Sequence, residues 1–178
     1  MEMWIDKKNL YEGEVVALDV GHVRLDDGVV ALREVIRHPG GVAIVPFHHG
    51  HVVLIRQYRI AIGAEILEIP AGKLEGAEDP VRRAMCELEE EGGYRAGRLV
   101  PVGSVYASVG YTSEEIRLFL AFDLEPIDQR PEEDERITIV EIPISEIRAQ
   151  LADNEIKDAK TVVGLGRLLK YLEEHGRP

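Results

Sequence analysis

Three glutamates near the middle of the chain have a spacing suited to binding a divalent cation. Glu87 and Glu91 are four residues apart, so one helical turn places them on the same face, with Glu90 beside them. Like charges at this spacing destabilise an isolated helix by about 0.2–0.5 kcal/mol per pair. A cation such as Mg²⁺, which prefers oxygen ligands, would offset that cost. The alternative is a solvated acidic helix face, which is common.

The position of these glutamates favours the metal-binding interpretation. They lie near the C-terminus of a predicted helix, where the helix dipole disfavours anions. They also follow a loop, Ala71 to Asp79, which contains Gly72 and Gly76. Glycine allows close backbone approach, so a carbonyl such as that of Ala71 can come near the carboxylates. The sequence therefore predicts a divalent-metal site at this end of the helix.

The helix that carries the glutamates has clear start and stop signals. Asp79 can accept hydrogen bonds from free amides, and Pro80 suits the first helical position. Gly92 and Gly93 are expected to end the helix. The residues predicted to form its buried face recur at helical spacing, roughly opposite the glutamates: Val81, Ala84, Met85 and Leu88.

Short apolar strands on both sides of this helix indicate the fold class. A helix capped by Ser145 and reaching about Ala152 is predicted near the end, then a longer one from Asp158 toward Glu174. Strands and helices do not alternate strictly, so we expect an α+β fold, with a mixed β-sheet between helices. The predicted strands of that sheet are 42–46, 52–55, 66–70, 99–105, 116–122 and 137–142.

The first forty residues are predicted to form an N-terminal antiparallel strand extension. The expected strands are 14–20, which ends at Gly21, then 22–25 and 29–36, with a turn at 26–28. Three short strands bury little by themselves, so they must pack on the rest of the chain or on another copy. Pro39 begins a break, and we expect domains at 1–39 (extension) and 40–178.

Composition excludes several classes of protein. The chain has 178 residues and a formal charge of −12, from 21 Lys and Arg against 33 Asp and Glu. Such an acidic chain lacks the basic surface that nucleic-acid binding needs. No apolar segment approaches the roughly 20 residues that span a bilayer, and the N-terminus lacks a signal-peptide pattern. Cys86 is the single cysteine, which suits a reducing compartment. We expect a soluble cytoplasmic protein that binds neither nucleic acid nor membranes.

A longer pattern surrounds the three glutamates. Its matching positions are Gly72, Glu78, Glu87, Leu88, Glu90, Glu91 and Gly93. At this fixed spacing they resemble the Nudix box, the signature of the Nudix hydrolase family. The segment departs from the box at Tyr94, where an aliphatic residue is usual, and at Cys86, where the family has arginine. Cysteine has neither the charge nor the forked donors that orient box carboxylates, so either activity is reduced or Arg82, Arg83 or another cation substitutes.

The resemblance extends toward the ADP-ribose pyrophosphatase branch of that family. The similar segments are 33–40, 56–59, 68–73, 108–114 and 156–161. The resemblance implies a metal-dependent pyrophosphohydrolase that cleaves ADP-ribose to AMP and ribose 5-phosphate. Two alternatives stay open: another nucleotide sugar or dinucleotide (FAD or NADH) as substrate, or a catalytically weak regulator that binds such a ligand. The branch typically forms homodimers with exchanged N-terminal strands, which would use the three strands described above.

The same resemblance assigns roles to acidic residues. The expected cofactor is Mg²⁺ or Mn²⁺, held by Glu87, Glu91 and the Ala71 carbonyl. Glu90 is expected to be a catalytic group, either as a further ligand or from behind the ligands. The acidic loop 131–137 resembles the one that supplies the general base in this branch. It implies Glu133 as the base and Glu135 as a metal ligand, and a solvated charge run is the alternative.

Substrate contacts are expected on several loops and strands. Arg56 and Arg59 have forked donors that suit phosphate. By resemblance, Glu114 holds the ribose hydroxyls, and the adenine stacks on an aromatic side chain, with Tyr11, Tyr58 and Tyr111 as candidates. The complete expected set of substrate-binding residues is Arg56, Arg59, Gly72, Lys73, Gly110 and Glu114.

Overall fold

The computed structural model describes residues 1–176, which divide into two compact units. The first unit consists of Met1–Gly40 together with Tyr106–Glu115. The second consists of Gly41–Val105 and the residues from Ile116 onward. The sequence did not predict that residues 106–115 join the N-terminal strands.

The first unit is built on a three-stranded antiparallel sheet in the order β1-β2-β3. Its strands are β1 (Glu2–Glu12), β2 (Ala17–Leu25) and β3 (Val30–Arg37), and every residue of β1 is exposed. The predicted strand end at Gly21 is wrong, because β2 runs through it. A Cβ at Gly21 would lie 2.2 Å from the Asp6 carbonyl oxygen, so glycine there serves the close approach of β1.

The segment 106–115 pairs with β3. The Ile36 amide donates to the Tyr111 carbonyl at 2.7 Å, and the Ser113 amide donates to the Ile36 carbonyl at 3.0 Å. The Ser113 hydroxyl also accepts a hydrogen bond from the His38 amide at 3.1 Å. These bonds satisfy backbone groups at the edge of the sheet.

The second unit contains a seven-stranded mixed sheet. Its path is β10-β5-β4-β9-β8, with β6 paired to β5 and β7 paired to β4. Strands β4 and β9 are parallel, whereas β4 and β5 form an antiparallel hairpin. The strands are β4 (Gly41–His48), β5 (His51–Arg59), β6 (Ala64–Glu68), β7 (Ala71–Lys73), β8 (Tyr94–Tyr106), β9 (Glu115–Pro126) and β10 (Ile137–Pro143).

Helices cover both faces of this sheet, as the alternation along β4 shows. Val42 and Ile44 belong to a core cluster with Ala84 and Leu88 of helix α1 (Pro80–Glu90). The intervening residues of β4 pack in a second cluster with Ile147 of α2 (Ile144–Ala152) and with α3 (Ala159–His175). The predicted α+β class, with a mixed sheet between helices, is confirmed.

Two of the three helices begin where the sequence predicts. The Asp79 side chain accepts from the Val81 amide at 3.2 Å, and the Asp158 side chain accepts from the Thr161 amide at 3.0 Å. The predicted Ser145 cap is wrong, because β10 runs directly into α2 and Pro143 occupies the cap position without a side-chain bond. The first amide of α2 donates instead to the Gly50 carbonyl at 2.9 Å. Within residues 1–176, no helix combines the length and the apolar character needed to cross a membrane.

Candidate active site

The buried face of α1 carries carboxylates. The buried residues of the helix are Ala84, Glu87 and Leu88, and its C-cap residue Glu91 is also buried. Val81 and Met85 are exposed, so their predicted burial is wrong. Glu87 and Glu91 are not opposite the buried face but part of it, and this face packs against β4 and β7. Burial of two carboxylates on one helix face is costly and indicates a functional role.

The carboxylate of Glu87 lies directly against the backbone of Gly72. A Cβ built on Gly72 would stand 1.5 Å from Glu87 Oε1, which no structure tolerates. Gly72 is held in place by β7, where it pairs with Val42 of β4. A larger residue at position 72 would therefore displace the Glu87 carboxylate or the backbone of β7.

Glu91 is bound to the residue before that glycine. Its Oε2 accepts a hydrogen bond from the Ala71 amide at 2.7 Å, and its own carbonyl accepts one from Gln129 Nε2, also at 2.7 Å. Burial, together with the charges of Glu87 and Glu135, raises the pKa of Glu91 to about 8, against the lowering effect of the Ala71 hydrogen bond. The backbone of β7 thus fixes the carboxylate, and the surroundings disfavour its ionised form.

Glu87 is in a similar environment. Burial raises its pKa to about 7 against the attraction of the Arg83 guanidinium, and the charges of Glu90 and Glu135 also raise it. Arg83 is in ion-pair contact with Glu87 Oε1. That buried oxygen nevertheless accepts no well-formed hydrogen bond from residues 1–176. This buried oxygen therefore has lone pairs without a hydrogen-bond donor, and a bound cation would interact with them.

The remaining acidic candidates are placed differently. Glu90 exposes 38% of its side chain and lies 3.9 Å from Arg83. Glu135 is half-buried and accepts a hydrogen bond from the Glu132 amide at 3.0 Å. Its charge contributes to the raised pKa values of both Glu87 and Glu91. Glu133 is exposed, and its carbonyl accepts from Arg136 at 2.9 Å. The structure therefore brings Glu135 into electrostatic range of the buried pair.

This donor set fits a hard divalent cation. Two buried carboxylates of α1 and its C-cap, one with an unfilled acceptor, lie against β7 at a glycine where a Cβ would collide with Glu87. Carboxylate and carbonyl oxygens are the ligands that Mg²⁺ and Mn²⁺ prefer. In the described part of the chain, no three His, Cys, Asp or Glu side chains are already gathered as a metal-binding group. The site is thus a carboxylate pair that needs backbone or water oxygens to complete a coordination shell.

A second buried carboxylate network lies on the strand that precedes the Gly72 loop. Arg59 binds Glu68 through two bonds, Nε to Oε1 at 2.6 Å and Nη2 to Oε2 at 3.1 Å. Lys160 of α3 contacts the same carboxylate. Burial opposes ionisation of Glu68, but the two cations outweigh it and lower its pKa. The residue that follows this strand, Ile69, donates its amide to the buried Thr161 hydroxyl at 2.9 Å.

Sequence reasoning missed Glu68 and Lys160, because they are 92 residues apart and no local pattern links them. Of the two arginines predicted to bind phosphate, Arg59 uses its guanidinium to bind the Glu68 carboxylate, and Arg56 is exposed on β5. Lys73 is half-buried and lies 3.7 Å from Glu75.

The first unit contains an open groove of about 820 Å³. Gly110 and Tyr111 line it together with Trp4 and Arg33. All three tyrosines considered as base-stacking candidates are exposed, but Tyr111 is the one on this groove. The sequence around Trp4 carries no signal for such a role, because residues 2–12 show no clear alternation. Glu114 of the same unit lies 3.9 Å from His38.

A glycine loop, a helix with buried paired carboxylates and a mixed sheet between helices together define a Nudix-type fold and site. The chain belongs to the NUDIX domain family, whose family model matches residues 37–166. It is therefore a Nudix hydrolase, and metal dependence is general to that family.

Individual relatives cover nearly the whole chain. The ADP-ribose pyrophosphatase of Bacillus subtilis (strain 168) is 35% identical over 167 residues, covering 92% of this chain and 90% of the relative. A methanol dehydrogenase activator of Bacillus methanolicus is 36% identical over 167 residues, with the same 92% and 90% coverage. A crystal structure described as an ADP compounds hydrolase superposes with a TM-score of 0.88 over 99% of this chain and 97% of that chain. At 22% identity, this last likeness shows the shared fold.

Proposed function

We propose that this Nudix hydrolase cleaves ADP-ribose to AMP and ribose 5-phosphate with Mg²⁺ or Mn²⁺. The observation that carries the proposal is the buried pair Glu87 and Glu91, packed against the backbone of Ala71 and Gly72. The similarity to the Bacillus subtilis protein supports ADP-ribose as the substrate.

In the proposed site, Glu87, Glu91 and the Ala71 carbonyl hold the cation, and Glu135 is an additional ligand. A divalent cation neutralises the charge of a pyrophosphate and activates the attacking water. Glu133 is the proposed general base, and its exposed carboxylate is available to accept a proton. Glu90 is a further catalytic group beside the ligands.

The substrate contacts are assigned by chemistry and exposure. Arg56 is exposed and binds phosphate, and Arg59 keeps 42% of its side chain exposed while it holds Glu68. Gly72 and Lys73 border the carboxylate pair along the loop. By the resemblance, Gly110 and Glu114 are further proposed contacts, Glu114 with the ribose hydroxyls, and one of the exposed tyrosines stacks on the base.

The fully exposed strand β1 supports a homodimer with exchanged N-terminal strands. Exposed apolar side chains on this strand include Met3, Trp4, Ile5 and Leu10. Clusters of exposed apolar residues mark interaction surfaces. Sedimentation at micromolar concentration is expected to give twice the mass of one chain, and a monomer throughout would contradict the proposal. Cys86 as the single cysteine supports a cytoplasmic location.

A substrate panel tests the proposed reaction. The protein is incubated with Mg²⁺ and ADP-ribose, a GDP-sugar, FAD or NADH, and released monophosphate is measured. We expect AMP from ADP-ribose with the highest kcat/KM, and loss of that activity in excess EDTA with recovery on adding Mg²⁺. Activity unaffected by EDTA would contradict the metal assignment, and preference for another compound would contradict the substrate.

The second candidate is a regulator that binds such a ligand with little turnover. It is favoured by Cys86 in place of the box arginine and by the similarity to the methanol dehydrogenase activator. The same panel separates the two candidates. Saturable binding of ADP-ribose, measured by calorimetry, without released AMP would support the regulator.

A further inference from the structure

We propose that Arg83 takes the place of the box arginine missing at Cys86, and positions Glu87 from one turn earlier in the helix. The proposal rests on the function proposed above and names a further positioning residue of the same site. Arg83 does not touch substrate. It acts through the carboxylate that it holds.

The contacts of Arg83 carry this proposal. Its Nη2 is in ion-pair contact with Glu87 Oε1, and its Nη1 lies 3.9 Å from Glu90 Oε2. The side chain is only 21% exposed, which is low for arginine on a helix of this acidity. The guanidinium therefore contacts one box carboxylate, Glu87, and lies near a second, Glu90.

Helix geometry explains why position 83 can replace position 86. Residues three and four apart are neighbours on a helix surface, so Arg83 is adjacent both to Cys86 and to Glu87. By the resemblance, an arginine at position 86 orients the box carboxylates, and Arg83 already contacts one of them, Glu87. The small half-buried side chain of Cys86 leaves this surface to Arg83.

Other cations near the site do not contact Glu87 in the described part of the chain. Arg82 is exposed on the neighbouring face of the helix. Arg59 holds Glu68, and Arg130 lies 3.5 Å from Glu89. Within residues 1–176, Arg83 is the cation in ion-pair contact with Glu87. The sequence alone did not decide whether Arg82, Arg83 or another cation substitutes for the box arginine. The contact with Glu87 favours Arg83.

The test exchanges the charge between the two positions. The variants are Arg83→Ala, Cys86→Arg and the double variant, with Arg82→Ala as the matched control and Arg83→Lys as the conservative change. Three quantities are measured: kcat and KM for ADP-ribose, Mn²⁺ affinity without substrate by electron paramagnetic resonance, and the midpoint of thermal unfolding. The Mn²⁺ titration needs no turnover, so it tests Arg83 even if ADP-ribose is not the substrate.

Arg83→Ala is expected to weaken Mn²⁺ binding and to lower kcat, each by about 10–100-fold, with little change in KM, since residues that orient metal ligands typically contribute this much. The double variant is expected to recover most of both losses, because its arginine stands at the position from which, by the resemblance, the family orients its box carboxylates. Cys86→Arg alone should bring no gain, since Arg83 already occupies the carboxylate. Arg83→Lys should be intermediate, because lysine keeps the charge but lacks the fork.

Two results would overturn the proposal. One is an Arg83→Ala variant whose Mn²⁺ affinity and kcat equal those of the control variant Arg82→Ala. The other is a folded double variant as defective as Arg83→Ala, which would show that Arg83 acts through the fold and not through Glu87. If Arg83→Ala itself does not fold, Arg83→Lys and the double variant decide between the same alternatives.

Discussion

Replacing Glu91 with Gln is expected to lower kcat for ADP-ribose by about 10³-fold, or about 4 kcal/mol of transition-state free energy. Gln can still accept the hydrogen bond that the Ala71 amide donates to Glu91, so the loop is retained. It cannot supply the negative charge that a divalent cation requires of its ligand. Steady-state kinetics with saturating Mg²⁺ measure the effect.

The matched control for this variant is Glu89→Gln. Glu89 is a half-buried glutamate of the same helix that pairs with Arg95 at 3.0 Å, outside the carboxylate pair. Its replacement is expected to change kcat by less than about threefold, in keeping with the small contribution of partly exposed ion pairs. Equal rates for Glu91→Gln and the native enzyme would refute the role of Glu91 as a metal ligand.

The same variant has an expected effect on stability without metal. Burial raises the pKa of Glu91 to about 8 and that of Glu87 to about 7 from an ordinary 4.5, so the folded state favours their protonated forms. The stability that these two carboxyl groups contribute in their protonated forms is fully present below about pH 4.5. It is lost as the pH rises through about 7 and about 8, because ionisation is more favourable in the unfolded chain than in the folded one. In EDTA, the native protein should therefore unfold at lower temperature at pH 9 than at pH 5.5.

Glu91→Gln removes one of these two groups, so its unfolding temperature should fall less over the same range. Added Mg²⁺ should raise the melting temperature of the native protein at pH 9 more than that of the variant, because ligand binding stabilises the folded state. A native protein that gains stability from pH 5.5 to pH 9 in EDTA would contradict this account.

Gly72→Ala is expected to lower both kcat and Mn²⁺ affinity by about 10²-fold, because a displacement of about 1 Å at a catalytic group can cost this much. The added Cβ would stand 1.5 Å from Glu87 Oε1, so the carboxylate or the loop must move. The backbone of Gly72 has no positive φ, so alanine causes no strain of its own. Kinetics and a Mn²⁺ titration measure the two effects.

Gly166→Ala is the matched control. No atom lies within 4 Å of a Cβ built on Gly166, which is in helix α3. Alanine there should leave kcat unchanged and stabilise the helix by about 1 kcal/mol. If Gly72→Ala keeps native kcat and Mn²⁺ affinity, the contact between Gly72 and Glu87 has no functional importance.

The sequence predicted the central fold well because its signals are local. Val42–Pro46 and Val52–Ile55 are continuous apolar runs, and the structure buries both from two sides. Asp79 and Asp158 are capping residues that act within one turn. Strand β1 had no such signal, because all of its residues are exposed and burial imposes no alternation on them.

The candidate site was predictable only in part, because some of its contacts are local in sequence and others depend on tertiary structure. The spacing of Glu87 and Glu91 is local, so their shared face follows from helix geometry. The direction of that face depends on contact with β7, and the exposure of Val81 and Met85 shows that apolar periodicity alone misjudged it. The engagement of Arg59 by Glu68 depends equally on tertiary structure.

The bonds from helix α3 to the strand before the Gly72 loop have a consequence for synthesis of the chain. Lys160 holds Glu68, and the Thr161 hydroxyl accepts the Ile69 amide at 2.9 Å, just ahead of the loop. A nascent polypeptide that has emerged from the ribosome through Glu91 contains every residue of the glycine loop and its helix, but not these anchors. Hydrolytic competence should therefore arise late in translation, when the last helix reaches the sheet.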